Sequence, residues 1–305
     1  YAATSTTQLL ENQAGATARA MGFSEIITYS FVSPTTFDRI RIPADSPLRN
    51  TLKIQNPLGE DTSVMRTTAL PSMLEILARN YAFHNKDVQL YELAKIYLPR
   101  DDSPLANEPK VFIFGAYGPH TTFYSLKGQV EALLRQLNIR PAEYTAQREN
   151  PSYHPGRCAA LTIDGKPYGV LGQIHPLVAN TYGIDAEVYC AELDFTGLMQ
   201  QQQPEATYHP LPKYPAITRD LALVCDESCT VGQLEHCIAA AGGKLLRDIR
   251  FFDIYRGAGI APGKKSVAFS LTLRADDRTL TVAESEEATQ KILAHLHQDL
   301  GAVLR

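Results

Sequence analysis

Apolar positions in the C-terminal third of the chain switch between the period of a strand and the period of a helix, and each switch marks an element. "RDLALVCDE" (219–227) alternates as a strand. "TVGQLEHCIAAAGG" (230–243) reads as a helix opened by a capping box, Thr230 with Gln233, and closed by Gly242 and Gly243. "LLRDIRFFDIYRG" (245–257) is a strand, and "KSVAFSLTLRA" (265–275) is its antiparallel partner across a loop rich in glycine and proline. "TVAESEEATQKILAHLHQDLG" (281–301) is a second helix, with Thr281 and Glu284 as its capping box and Ile292, Leu293, Leu296 and Leu300 on one face. "AVLR" (302–305) closes the series as a short strand. The order βαββαβ predicts a ferredoxin-like domain, a single sheet with both helices on one face and the other face open.

Period-two counting then says where side chains point. With Phe252 and Ile254 toward the helices, Phe251, Asp253 and Tyr255 face outward. With Phe269 and Leu271 inside, Ser266, Ser270 and Arg274 lie outside. An open face carrying aromatics, a carboxylate, a hydroxyl and an arginine suits unstacked RNA bases, although an ordinary half-solvated sheet has the same pattern.

The N-terminal part alternates helices and strands with longer excursions. "STTQLLENQAGATARAMG", "LPSMLEILARNYAFHN", capped near Ser72, and residues 124–139 read as helices. "FSEIITYSFVSP", "VQLYELAKIYL", "KVFIFGAYG" and "EVYCAELDF" read as strands, and "AALTIDGKPYGVLGQI" as a hairpin turned by Asp164 and Gly165. Strands arrive in antiparallel pairs, so an α+β fold with a mixed or antiparallel sheet flanked by helices is expected. Four glutamines followed by four prolines in "GLMQQQQPEATYHPLPKYPAI" mark a linker over 200–211, between a module of residues 1–199 and a domain of residues 212–305.

Composition narrows the function classes. The chain of 305 residues, 44% hydrophobic and 20% charged, has the make-up of a globular protein of about two domains. No apolar run is long enough for a membrane helix and no signal pattern opens the chain, so a cytoplasmic protein is expected. The first residue is Tyr1, which is expected of a fragment. Five cysteines without a Cys-x-x-Cys pair, and histidines without a His-Glu-x-x-His, offer neither a disulfide framework nor a metal site. Net charge is −4 overall but zero over residues 211–305, with a local excess of +3 over residues 245–280. The stretch "FFDIYRGAGIAPGKKS" (251–266) imitates a phosphate loop, yet Ala258 stands at the first glycine's place, Lys265 follows Lys264, and a strand follows where a helix is required.

"GFSEIITYSFVSP", "NPLGEDTSVMRTTALPSMLEILARN", "YELAKIY", "SLKGQVEALL", "YHPGRCAALTIDGKPYGVLGQIHP", "KYPAITRDLALV", "FFDIYRG" and "GKKSVAFSLTLRADDRTLT" together resemble, nearly end to end, the C-terminal part of the bacterial-type phenylalanyl-tRNA synthetase beta subunit. The resemblance implies a class II aminoacyl-tRNA synthetase-like module without activity, with no catalytic residue, followed by a ferredoxin-fold anticodon-binding domain. It implies a catalytic alpha subunit as partner, an (alpha-beta)2 heterotetramer, and tRNA(Phe) as ligand. No cofactor is expected in this chain; ATP and magnesium belong to the whole enzyme. Family editing and magnesium-binding segments lie upstream of the matched region. Asp253, Tyr255 and Ser266 match the family's anticodon contacts, with Asp253 placed to accept from the guanine that begins the anticodon. Lys264, Lys265 and Arg278 are expected to meet phosphates, and the apolar stripe of "TALPSMLEILARN" is either a subunit interface or plain core packing.

Class II chemistry needs an arginine on a Phe-Arg-x-Glu strand and another after a glycine-rich strand, to grip the ATP phosphates. The corresponding strands here, "LYELAKIYL" and "YCAELDFTGLM", carry neither. Arg66, Arg79 and Arg157 remain, with no spacing that supplies the missing pair. A catalytically competent single-chain synthetase would need both motifs. A stand-alone RNA-binding paralogue is the third reading.

Overall fold

The chain folds as two units, Tyr1–Ala206 and Thr207–Arg305, in a computed structural model that describes residues 3–203, 208 and 210–305. The first unit runs α1 (Thr6–Ala20), β1 (Ser24–Glu25), β2 (Phe31–Val32), α2 (Thr36–Arg39), β3 (Val64–Met65), α3 (Leu70–Ala82), β4 (Val88–Lys95), β5 (Lys110–Tyr117), α4 (Phe123–Gln136), β6 (Glu143–Ala146), β7 (Tyr153–Ile163), β8 (Lys166–Ile174), α5 (Pro176–Thr181), β9 (Tyr189–Asp194) and α6 (Phe195–Met199). Seven of these strands form one sheet in the order β1-β4-β5-β9-β8-β7-β6. Every pair in it is antiparallel except β1 with β4.

Strand β5 shows why this sheet is covered on both sides. Val111, Ile113 and Tyr117 join a core with Met73, Leu74 and Leu77 of α3. The alternate residues Phe112, Phe114 and Ala116 join a second core with Leu126, Val130 and Leu133 of α4 and Ala14 and Ala18 of α1. A strand buried on both faces reads as a continuous apolar run, as "VFIFGAY" does. The α3 stripe, a candidate for either a subunit interface or the core, is core: Met73, Leu74 and Leu77 have no exposed surface. Gly115 lets α3 lie close, since a Cβ there would stand 2.6 Å from the Met73 side chain.

Helix α3 is not capped by Ser72, which is buried inside its first turn. The cap comes from β9: Glu192 accepts from the Ala69 N–H at 2.6 Å and from the Thr68 hydroxyl at 2.7 Å. The turn between β7 and β8 is as expected, with Asp164 at φ 50° and Gly165 at φ 74°, the pair of left-handed residues a two-residue hairpin requires.

The second unit runs β10 (Ile217–Asp226), α7 (Val231–Gly242), β11 (Leu246–Tyr255), β12 (Lys264–Leu273), α8 (Val282–Leu300) and β13 (Val303–Leu304). Its antiparallel sheet has the order β11-β12-β10-β13, the arrangement βαββαβ predicts. Leu221, Leu223, Val267, Phe269 and Leu271 pack on Leu234 and Ile238 of α7 and Ile292 and Leu296 of α8. Of the linker expected over 200–211, residues 201–203 are bonded into the first unit. Gln201 accepts from Arg140 N–H, and Gln203 donates to the Asn138 carbonyl at 2.8 Å. Residues 204–207 and 209 of that stretch lie outside the described residues.

Both predicted capping boxes form, Thr230 with Gln233 and Thr281 with Glu284. The Thr281 N–H, the Arg278 guanidinium and the Thr281 hydroxyl hold the Glu284 carboxylate ionised, with its pKa down from 4.5 to about 2. A depressed carboxyl stabilises the fold above its ordinary pKa and loses that contribution as pH falls through the lowered one. Glu284→Gln should accordingly unfold more easily than the parent at about pH 7, with the gap closing between about pH 4.5 and about pH 2. Urea unfolding of both proteins across that range checks it, and a gap as wide at about pH 3 as at about pH 7 would contradict it.

Candidate nucleic-acid interface

The second unit's strand register arranges its open face in rows across three strands. Since odd-numbered β12 residues point into the core, the even-numbered ones and their partners face away. The rows read Val224, Ser266, Tyr255; then Ala222, Ala268, Asp253; then Asp220, Ser270, Arg250; then Thr218, Thr272, Asp248. Ala222 and Ala268 leave a low floor in the second row, bounded by Asp253 on β11. A flat ring can lie there with its hydrogen-bonding edge against the carboxylate.

A β-bulge between Phe251 and Asp253 sets which β11 residues reach this face. It inserts one residue, so the side-chain phase reverses across it. Phe251 pairs with Phe269, the rings meeting edge to face at 6.0 Å, and so points to the helix side rather than outward. Phe252 is the extra residue and is half exposed rather than buried among the helices. Asp253 and Tyr255 do face outward, as expected.

Four expected contacts sit differently. Ser266 shares the open face with Tyr255 but is only 3% exposed. The Arg305 guanidinium comes in from the opposite edge and lies 5.0 Å from the centre of the Tyr255 ring. The Arg305 N–H is anchored on the Ala222 carbonyl at 2.8 Å, and the Tyr255 hydroxyl donates to the Ala258 carbonyl at 3.2 Å. Lys265 is an odd-numbered residue of β12, hence on the core side, 6% exposed, its ammonium donating to the Glu227 carbonyl at 2.9 Å. It is a buried structural lysine, not an open-face phosphate contact. Lys264 is paired with Asp226 at 3.0 Å. Arg278 is paired with Asp277 and with Glu284.

Two arginines that sequence reasoning passed over stand on the face instead. Arg250 is exposed opposite Ser270, and Arg305 is exposed over Tyr255. Neither has an ion-pair partner among the described residues. Counting from Phe252 and Ile254 would turn Arg250 inward, and only the bulge turns it out. For Arg305 no local signal exists, since its reach depends on β13 pairing with β10.

In the first unit, Arg66 is spent internally. It donates to the Lys95 carbonyl at 2.8 Å, the Thr28 hydroxyl at 2.6 Å and Glu92 at 3.2 Å, with both Arg66 and Glu92 buried. Arg157 donates to Gln173 and Glu187, and Arg79 is exposed on α3. A cavity of ≈ 280 Å³ beside Glu192 is walled by Ile40, Ile42, Leu48, Val170 and Tyr153, and another of ≈ 360 Å³ lies near Asp194 and Thr196. No lysine or arginine lines either one.

A helix-flanked, mostly antiparallel sheet followed by a ferredoxin-like domain with an open polar face is a class II synthetase-like architecture with an appended βαββαβ domain. Residues 2–195 match the family model of the phenylalanyl tRNA synthetase beta chain CLM domain. Residues 212–305 match that of the ferredoxin-fold anticodon binding domain. The chain belongs to the phenylalanyl-tRNA synthetase beta chain family. It is 46% identical over 285 residues to the phenylalanine–tRNA ligase beta subunit of Clostridium tetani and 42% identical to that of Clostridium acetobutylicum, in each case over 93% of this chain and 36% of the relative. The chain thus spans little more than a third of the length of these relatives. Among solved structures, the pyrrolysyl tRNA synthetase PylSc of Desulfitobacterium hafniense shares the fold, with a TM-score of 0.53 at 12% identity, over 67% of this chain and 73% of that one.

Proposed function

We propose that this chain is the noncatalytic C-terminal portion of a phenylalanine–tRNA ligase beta subunit, which reads the tRNA(Phe) anticodon on the open face of its second unit and supports a catalytic alpha subunit through its first. The observation that carries the reading is the juxtaposition of outward Asp253 and Tyr255 with the low floor of Ala222 and Ala268. The carboxylate can accept from both N1–H and N2–H of guanine, and Tyr255 offers a ring for a base to stack on, worth roughly 1 to 3 kcal/mol.

Catalytic silence of the first unit is supported by the fate of its arginines. Arg66 and Arg157 are engaged within the fold, and neither cavity offers a cation to an ATP phosphate. ATP and magnesium would be handled by the alpha subunit. The surface for that partner is supported by an element other than α3. Ile27, Tyr29 and Phe31 alternate along an extended stretch beside the sheet edge, and Ile27 and Tyr29 are 91% and 82% exposed. Large apolar side chains left in water in a row suit a protein contact. An (alpha-beta)2 heterotetramer in the cytoplasm completes the proposal.

Binding of the full chain to phenylalanine anticodon stem-loops, with guanine or cytosine as first anticodon base, tests the reading. Preference for guanine is expected. Equal binding of both RNAs would leave a generic RNA surface and remove the anticodon role.

A further inference from the structure

The cations nominated by sequence for the RNA backbone are already engaged within the fold. Lys264 meets Asp226, Lys265 meets the Glu227 carbonyl, and Arg278 meets Asp277 and Glu284. Lys265 is buried on the core side, and at Lys264 and Arg278 the paired carboxylate cancels part of the attraction for a phosphate. The open face itself carries Asp220, Asp248 and Asp253, which repel an RNA backbone, and residues 211–305 have no net charge to attract one from a distance. Attraction has to come from cations that are both on the face and without a carboxylate partner.

Only Arg250 and Arg305 meet both conditions among the open-face residues of the described rows and of β13. Arg250 stands in the row next to Asp253, and Arg305 lies over Tyr255. The geometry points to these two arginines as the phosphate contacts that hold an anticodon strand across the face, with Asp253 and Tyr255 between them. This inference rests on the anticodon-reading proposal. A guanidinium suits the task twice over: its fork takes phosphate oxygens in pairs, and its plane stacks on a ring or base. In the free protein the Arg305 guanidinium lies 5.0 Å from the centre of the Tyr255 ring. A base that takes over the ring displaces it toward the flanking phosphate.

The test is the salt dependence of stem-loop binding by the full chain. Arg250→Ala and Arg305→Ala should each weaken binding roughly tenfold at low salt and flatten the log Kd against log[salt] slope by about 0.7, the single-strand value per phosphate. The double variant should lose about twice that slope. Arg305→Lys should restore the slope without restoring full affinity, because an ammonium keeps the charge and loses the stacking plane. Lys264→Gln, Lys265→Gln and Arg278→Gln should leave the slope unchanged. Arg250→Gln and Arg305→Gln serve if an alanine variant unfolds early. A double variant with the parental slope, or slope loss confined to Lys264, Lys265 or Arg278, overturns the inference. If the parental slope comes with intact guanine preference, the anticodon reading stands and this assignment alone fails. A parent chain that binds no stem-loop overturns both.

Discussion

Asp253→Ala is expected to abolish the preference for guanine over cytosine at the first anticodon position while leaving cytosine stem-loop binding unchanged or slightly tighter. The carboxylate is outward, bounds the alanine floor, and has no ion-pair partner among the described residues. It is therefore free to accept two N–H groups from one guanine edge, and a charged acceptor makes both bonds strong. A bidentate contact of this kind discriminates by about 1 to 3 kcal/mol, a factor of roughly 5 to 150 in Kd. Cytosine offers one donor, its N4 amino group, beside the N3 acceptor, so it cannot make the paired contact. Removing an anion from a face that already carries Asp220 and Asp248 only eases the approach of phosphates. Anisotropy titrations of the two stem-loops against parent and variant measure this directly. A parallel loss for both RNAs would make Asp253 a structural residue of β11 and remove it from base reading.

What was legible in the sequence, and what was not, divides along the range of the interaction that decides each feature. The βαββαβ order, the capping boxes at Thr230 and Thr281 and the hairpin at Asp164 and Gly165 are written in residues a few positions apart, and all of them form. The cap of α3 is not, because the acceptor, Glu192, comes from a strand more than a hundred positions away. The α3 stripe was ambiguous for a related reason. Apolar residues at helical spacing look the same whether a sheet or a second protein covers them, and here β5 does. At the candidate site, Asp253 and Tyr255 were readable because they follow the bulge in unbroken alternation with Ile254. Phe251 and Arg250 precede it, and a single inserted residue reverses their faces without leaving a mark in the local pattern. Charge was the least legible property of all. A lysine in sequence is only a charge, whereas Lys265 in the fold is a buried donor already committed to the Glu227 carbonyl.

Arg66→Ala is expected to destabilise the first unit by about 3 to 5 kcal/mol, because it strands the Glu92 carboxylate in the interior. Arg66 and Glu92 are 3% and 4% exposed, and Glu92 also accepts from the Thr28 N–H and hydroxyl. With the guanidinium gone, those two donors remain but no positive charge offsets the desolvation of the acid. Arg66→Lys should recover little, since one ammonium cannot reproduce separate bonds to the Lys95 carbonyl, Thr28 and Glu92. Replacing both partners, Arg66→Met with Glu92→Leu, should recover most of the loss, because a buried ion pair exchanged for packed apolar groups is often neutral. Hydrogen exchange on peptides from residues 24–100 reads this unit apart from residues 207–305, whose protection and RNA binding should not change. The comparison also bears on catalysis. If Arg66→Ala left stability untouched, the arginine would be free to grip a phosphate, and the catalytic silence proposed for this unit would lose one of its supports. A deficit removed by the double replacement fixes Arg66 as a residue the fold has already consumed.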